Sequence, residues 1–361
     1  MKVLQVLGNS AGGIARHVAD VVKGFEGSRI EVETAAPPAL PVPITGTTYP
    51  VQIPDGPFGH GAARRDLRKI IGGGDFDVIH AHGLRAGIDA ARAAGDIPSV
   101  VTIHNLVQPE IAGRLRAPVY RLAEKLAVEA NDKVLCVSEQ IASHLRASVP
   151  KHTHKIEVTY LGIAEPKPVT RDRSKVRADM GISDRDLVVV TVARLAPQKA
   201  LHILFTALAQ IPEARLIVLG DGPQRAELRS LAMRLLGERV EFLGFRDDVT
   251  DIVAASDVFA LSSIWEGIPI SAMEAILVGT VIASTDVGGM REIVTDGVSG
   301  RLVPRDDADQ LAAAIKELLD EPELRGAFAS RALQDLRLRF DRDAMLERLG
   351  DVYRSLVMAG R

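Results

Sequence analysis

Ten short apolar runs rich in β-branched residues, five on either side of residues 164–176, alternate with longer amphipathic stretches along this chain. Continuous apolar runs suit strands buried on both faces, and such strands belong to parallel sheets whose crossovers are helices. The runs are 3–7, 31–35, 78–81, 99–104 and 133–137 in the first set, and 187–192, 214–219, 240–243, 258–261 and 281–284 in the second. Between them, 164–176 carries two prolines and a cluster of charges without apolar periodicity, which reads as a linker. A length of 361 residues leaves room for two domains of roughly 150 to 180 residues. The predicted class is therefore α/β, with two Rossmann-like domains. A last helix near 342–357 carries Met345, Leu346, Leu349, Val352, Tyr353, Leu356 and Val357 on one stripe and must dock on something.

The amino terminus has a single basic residue, Lys2, before the short run 3–7, and no later run approaches the roughly 18 apolar residues of a membrane span. A cytoplasmic, non-spanning protein is expected. The only cysteine, Cys136, lies in an apolar run, so an internal disulfide is impossible and a buried strand thiol is expected. A formal net charge of −3 and 4% aromatic residues supply neither the basic face nor the stacking surface of a nucleic-acid binder.

Residues 262–275, SSIWEGIPISAMEA, carry the most chemistry. Pro269 fits the first turn of a helix, where its missing N–H costs nothing. That puts Glu266 and Gly267 in the preceding loop and Glu274 about one turn inside. The amides of Gly267, Ile268, Ile270 and Ser271 then make a positive helix end suited to a phosphate or a sugar hydroxyl, with one carboxylate on each side. Each carboxylate can grip paired hydroxyls of a ribose or a hexose. Glutamates in first turns also offset helix dipoles, so the spacing gains weight only from companions at other strand ends.

Those companions are present. After the first run, Gly8-Asn9-Ser10-Ala11-Gly12-Gly13 is a strand-to-helix turn that allows close approach of a ligand, without the GxGxxG pattern. Arg194 and Lys199, in ARLAPQK, leave the carboxyl end of run 187–192, where doubly wound sheets bind ligands. They offer a guanidinium fork and a point charge to a diphosphate. Gly220-Asp221-Gly222-Pro223 is a glycine turn lacking the third glycine of the dinucleotide fingerprint, a weak signal for NAD.

His80, His82 and His104 fall at strand ends in DVIHAHG and VTIHN. His80 and His82 share one side of a strand, but no third ligand lies near them in sequence, so no metal site is expected. Asp75-Phe76-Asp77 has the form of a metal-binding DxD, yet it immediately precedes an apolar strand, where capping or turn formation accounts for it.

Taken in order, the GG loop, ARLAPQK, LGDGP, FLGFRDD and WEGIPISAMEAILVGTVIASTDVGGMREIV resemble the retaining family-4 glycosyltransferases of GT-B fold, from residue 1 to the final helix. The resemblance implies two Rossmann-like domains facing a central cleft. Residues 1–165 would bind the acceptor and 166–340 the nucleotide sugar, with helix 341–361 crossing back to the first domain. It also implies that Arg194 and Lys199 hold the donor diphosphate, Glu274 the ribose, and Glu266 the transferred sugar together with Gly267, Ile268, Pro269 and Ile270. Gly12, Gly13 and Gly220 would approach the donor, His104 the reacting sugar, and Phe245 and Arg246 the nucleobase. The chain departs from the family at Ala193 and Ala200, where glycine usually precedes the arginine and follows the lysine.

The implied activity is transfer of a hexosyl unit from a UDP- or GDP-sugar to a hydroxyl acceptor, with retention and without metal or cofactor, in glycolipid or cell-envelope polysaccharide assembly. Rival readings are a nucleotide-sugar 2-epimerase, glycosylation of a soluble small molecule, a silent sugar-nucleotide-binding subunit and a nicotinamide dehydrogenase. Peripheral contact with anionic lipid at the inner face of the cytoplasmic membrane is expected from a short helix over 61–71. It sets Arg64, Arg65, Arg68 and Lys69 opposite Ala63, Leu67, Ile70 and Ile71, and 114–126 is a second basic-apolar stretch.

Overall fold

The structure is a computed structural model that describes residues 1–9, 13–40, 42–56, 58–106 and 117–359. The chain forms two compact units, Met1–Ala164 with Phe340–Arg361, and Glu165–Arg339. The second unit is thus inserted, in sequence, into the first.

The first unit holds a parallel sheet of β1 (Lys2–Leu7), β2 (Glu31–Ala36), β3 (Thr48–Pro50), β4 (Val78–His82), β5 (Ser99–Ile103), β6 (Lys133–Cys136) and β7 (Ile156–Val158), in the order β3-β2-β1-β4-β5-β6-β7. The second holds β8 (Leu187–Val192), β9 (Ala214–Leu219), β10 (Val240–Gly244), β11 (Val258–Leu261), β12 (Val281–Thr285) and β13 (Arg301–Val303), in the order β10-β9-β8-β11-β12-β13. Both sheets reverse their strand order once, at β1/β4 and at β8/β11. Such reversals splay two loops apart at the carboxyl ends of the strands and open a crevice there.

Every predicted apolar run became a strand to within about a residue. The strands that the pattern missed, β3, β7 and β13, are three residues each and lie at sheet edges. An edge strand buries little, so its sequence needs no continuous apolar run. The linker also proved shorter than expected, because Arg173–Asp179 is a helix. Seven residues are too few for a visible periodicity, and the helix is tied down instead by Arg177. That guanidinium is 1% exposed and donates to Asp257, Ala255 O and Asp186 O.

The last helix, Arg342–Ala359, supplies the stripe of its sequence to the first unit. Met345, Leu346, Leu349, Val352 and Tyr353 are buried against Val3, Val21, Val78, Val100 and Leu135. Burial of one large apolar side chain contributes roughly 1.5 to 3 kcal/mol, so this helix completes a core. The approach is close: a Cβ on Gly24 would come within 2.4 Å of Leu346, and one on Gly162 within 2.6 Å of Arg342 Cα. Among the described residues, no helix is long and apolar enough to cross a membrane.

Candidate active site

In the second unit the loops after β8 and β11 flank the reversal and are stapled together. Ile264 N–H donates to Gln198 O at 2.9 Å and Gln198 Nε2 to Trp265 O at 2.8 Å. The Ser262 hydroxyl reaches Lys199 O and Ala200 O, at 3.0 and 3.1 Å. This backbone frame brings Lys199 Nζ to 2.5 Å from Glu266 Oε1, which also accepts from Ser263 Oγ at 2.6 Å. Arg194, one loop turn away, is exposed and has no side-chain partner among the described residues.

Ala200 adopts a left-handed conformation, φ 42° and ψ 41°. Few L-residues do so without strain, which accounts physically for glycine being usual at this position.

Neighbouring glycines make room for these loops. Gly220, with φ +110°, faces Ala193 O at a distance that leaves only 2.2 Å for a Cβ. Gly288, with φ +57°, lies so close to Glu266 O that a Cβ would sit 1.8 Å away, and Gly289 N–H donates to Gly267 O at 2.7 Å. Gly288 and Gly289 have a packing role that was not expected from sequence. Their signal was a paired glycine directly after a strand, in TDVGGM.

Pro269 stands one place earlier than expected. It is the N-cap of helix Ile270–Leu277, in an extended conformation with ψ 100°, because its carbonyl accepts the first helical bonds, from Ala272 and Met273. The amides of Gly267, Ile268, Ile270 and Ser271 donate to no acceptor among the described residues. Glu274 is half-buried in the second turn.

Phe245, after β10, is 85% exposed. Arg246 grips Asp248 with Nε and Nη2, both at 2.7 Å, and that guanidinium holds the Asp248 carboxyl below its ordinary range.

The first unit places Gly13 at the start of helix Gly13–Phe25, after β1, while Gly12 lies outside the described residues. His104 follows β5 and is buried. It belongs to a group that the sequence did not reveal: ring nitrogens of His17, His82 and His104 lie within 4.8 Å of one another. The third imidazole absent from the local sequence thus arrives on the helix after β1. His82 spends both nitrogens inside the protein, Nε2 on Gln5 Oε1 at 2.6 Å and Nδ1 on His104 Nε2 at 3.0 Å. Burial pushes His17 down to about 4, His80 to about 3, and His82 and His104 well below the usual imidazole range, so all four are neutral near pH 7.

Residues 172–335 match the family described as glycosyl transferases group 1, and residues 11–165 match glycosyltransferase family 4. The chain is 30% identical to a D-inositol 3-phosphate glycosyltransferase of Catenulispora acidiphila, with 98% of this chain and 93% of that protein covered. The chain belongs to the group 1 glycosyltransferases. This group 1 glycosyltransferase is also 31% identical to the D-inositol 3-phosphate glycosyltransferase of Mycobacterium marinum, over 79% of this chain. That match covers 64% of the Mycobacterium protein, so the chain spans less than two thirds of the length of that relative. Among solved structures, Anabaena Alr3699/HepE in complex with UDP and glucose is similar, with TM-score 0.83 at 25% identity, covering 98% of this chain and 100% of that one. Two parallel-sheet Rossmann-like domains, the GT-B architecture, are thereby shown.

Elsewhere in this group 1 glycosyltransferase, Asp77 Oδ2 accepts from Lys2 N–H at 2.7 Å and Asp77 N–H donates to Lys2 O, which ties down the start of β1. Phe76 is buried, and Cys136 is a buried thiol pushed up to about 12. The predicted basic helix is His60–Gly72, with Ala63, Leu67 and Ile71 buried. Arg64 departs from the expected outer face: it is half-buried, 3.4 Å from the buried carboxylate of Asp89. Arg65, Arg68 and Lys69 remain exposed. Of the stretch 114–126, residues 114–116 lie outside the described residues, and Val119 and Leu122 stand 64% and 56% exposed.

Proposed function

We propose that the chain transfers a hexosyl unit from a nucleoside diphosphate sugar to a hydroxyl acceptor with retention at the anomeric carbon. The observation that carries this reading is the fixed Lys199–Glu266 contact at the β8/β11 reversal, together with Arg194 after β8 and a helix end, whose side chain and amides respectively have no partner among the described residues. Arg194, Lys199 and those amides would hold the diphosphate and stabilise the charge that grows on it as the glycosidic bond breaks. Glu266 would orient the sugar hydroxyls and Glu274 the ribose. Retention follows from same-face substitution, with the departing diphosphate taking the acceptor proton. The leaving group then already has two cations and a helix end, so a metal ion has no necessary task.

A uridine donor is favoured by the likeness to Alr3699/HepE, crystallised with UDP-glucose. The decisive experiment is a thermal-shift screen of UDP, GDP and their hexose conjugates followed by single-turnover transfer with the ligand that binds. A ligand at about a hundred times its Kd raises stability by about 2.7 kcal/mol. Absence of a shift with every sugar nucleotide would remove the reading, and isomer formation without acceptor would replace it by 2-epimerisation.

For the acceptor we propose a lipid-linked glycan at an anionic membrane, supported by exposed Arg65, Arg68 and Lys69 and by exposed Phe58, Val119 and Leu122 in the same unit. Each cation near the headgroups contributes about 1 kcal/mol. The inward turn of Arg64 and the D-inositol 3-phosphate in the names of relatives favour a soluble acceptor as the second reading. Co-sedimentation with anionic and neutral vesicles at low salt separates the two.

A further inference from the structure

A hydrogen-bonded chain runs through the interior of the first unit from the last helix to His104. Gln5, on β1, is fully buried, and its carboxamide has one donating and one accepting end. Its Nε2 donates to the Tyr353 hydroxyl at 3.1 Å and its Oε1 lies 2.6 Å from His82 Nε2. An amide oxygen can only accept, so His82 carries its proton on Nε2. The other nitrogen, Nδ1, is then a lone pair, and the bond to His104 Nε2 at 3.0 Å has His104 as donor. Because His104 is neutral, its second nitrogen holds no proton.

The opposite branch can be satisfied in the same sense. Having accepted from Gln5, the Tyr353 hydroxyl gives its proton to His80 Nδ1 at 2.7 Å, and His80 Nε2–H donates to Thr102 Oγ1 at 2.7 Å. Tyr353 cannot drift, since its ring is fully buried in the core that the last helix completes.

We propose that Gln5 and Tyr353 are positioning residues that hold His104 in its Nε2–H form, leaving Nδ1 as a pure hydrogen-bond acceptor for a hydroxyl of the bound sugar. This rests on the transferase reading for the identity of the ligand, whereas the tautomer follows from the orientation of the Gln5 carboxamide, with Nε2 toward Tyr353 and Oε1 toward His82. Turning the carboxamide over would reverse every bond in the chain and put the proton on His104 Nδ1. Such a ring would donate to the sugar instead of accepting from it. Two residues that never touch substrate thus set the polarity of one that does.

The test uses the full chain with ¹⁵N-labelled histidine rings, the His104 signals being assigned with His104→Asn. Long-range ¹H–¹⁵N correlation should show neutral Nε2–H rings at His82 and His104. In Tyr353→Phe the carboxamide loses its acceptor, and His104 should become a mixture of tautomers. Turnover should fall about tenfold while KM for the donor stays unchanged, as expected when one hydrogen bond is misdirected in the transition state. Gln5→Leu should do the same more severely. If it fails to fold, Tyr353→Phe, which removes one oxygen, carries the experiment. A wild-type His104 protonated on Nδ1, or a His104 tautomer unchanged in Tyr353→Phe, overturns the proposal. Predicted tautomers in a protein that transfers no sugar would uphold the interior assignment and remove the transferase reading instead.

Discussion

Lys199 Nζ and Glu266 Oε1 are 2.5 Å apart, and the Ser263 hydroxyl donates to the same oxygen, so both of these contacts of the Glu266 carboxylate fall on one of its two oxygens. The lysine is thereby held by an internal counter-ion, whereas Arg194 is held by nothing among the described residues. The two cations therefore differ in what their removal should do.

Arg194→Ala should lower turnover by about 2 to 4 kcal/mol of transition-state stabilisation with unchanged thermal stability, because its side chain is exposed and has no partner among the described residues. Lys199→Ala should lose as much activity and also destabilise the protein by about 3 kcal/mol, since Glu266 is left buried without its partner. Single-turnover rates and denaturant unfolding measure the two quantities. Normal rates in either variant would contradict the role assigned to it.

Glu274→Ala should weaken binding of the nucleoside diphosphate, whereas Glu266→Ala should leave that affinity largely intact and abolish turnover. Calorimetry with UDP alone, followed by transfer assays, separates the roles. Equal losses of UDP affinity would refute the division.

Chelation with EDTA should leave transfer largely intact. If activity instead disappears and returns with zinc, His17, His82 and His104 are the ligands to replace first. Recovery with manganese or magnesium would reopen Asp75 and Asp77.

The first unit should unfold in mild acid before the second. His17 and His80, pushed down to about 4 and about 3, and His82 and His104, also well below the usual range, take up protons on unfolding. Their stabilisation is complete above the ordinary imidazole value and is lost as pH falls toward the folded values, at about 1.4 kcal/mol per pH unit for each ring. His144, raised by its hydrogen bond to Glu124, acts in the opposite sense: its contribution is present in acid and lost as pH rises through the raised value. Four rings outweigh one, so loss of the first unit is expected near about pH 5. Trp265, the only tryptophan, lies in the second unit, so its fluorescence should stay native while far-ultraviolet ellipticity falls. Simultaneous change of both signals would count against this.

Ala200→Gly should stabilise the second unit. Relief of the left-handed strain is worth about 1 kcal/mol, partly offset by the freer unfolded chain. A rise in Tm of about 1 to 3 °C is expected, and Ala200→Val should lower it.

Strand ends were the part of the site most legible in the sequence. Arg194, Lys199 and Glu266 stand beside apolar runs whose period identifies them, so their side of the sheet followed directly. What stayed hidden depends on contacts between distant segments. Gln5 and Tyr353 are 348 positions apart and each reads locally as an ordinary core position. His17 lies on a different element from His82 and His104, and no spacing rule joins them. Arg64 looked like one of four outward cations because its partner Asp89 belongs to another helix, Leu84–Ala94. Short edge strands stayed hidden for the reason that makes them edges: they bury too little to leave a pattern.

Because the helix Arg342–Ala359 follows the whole second unit in the chain, a ribosome finishes that unit before it makes the segment that closes the core of the first. During synthesis Val3, Val78, Val100 and Leu135 therefore wait with one apolar side uncovered, and Gln5 waits without Tyr353. The inserted unit can reach its native state early. The unit made first becomes whole last, so a nascent chain arrested before residue 342 would present a sticky, incomplete partner to chaperones.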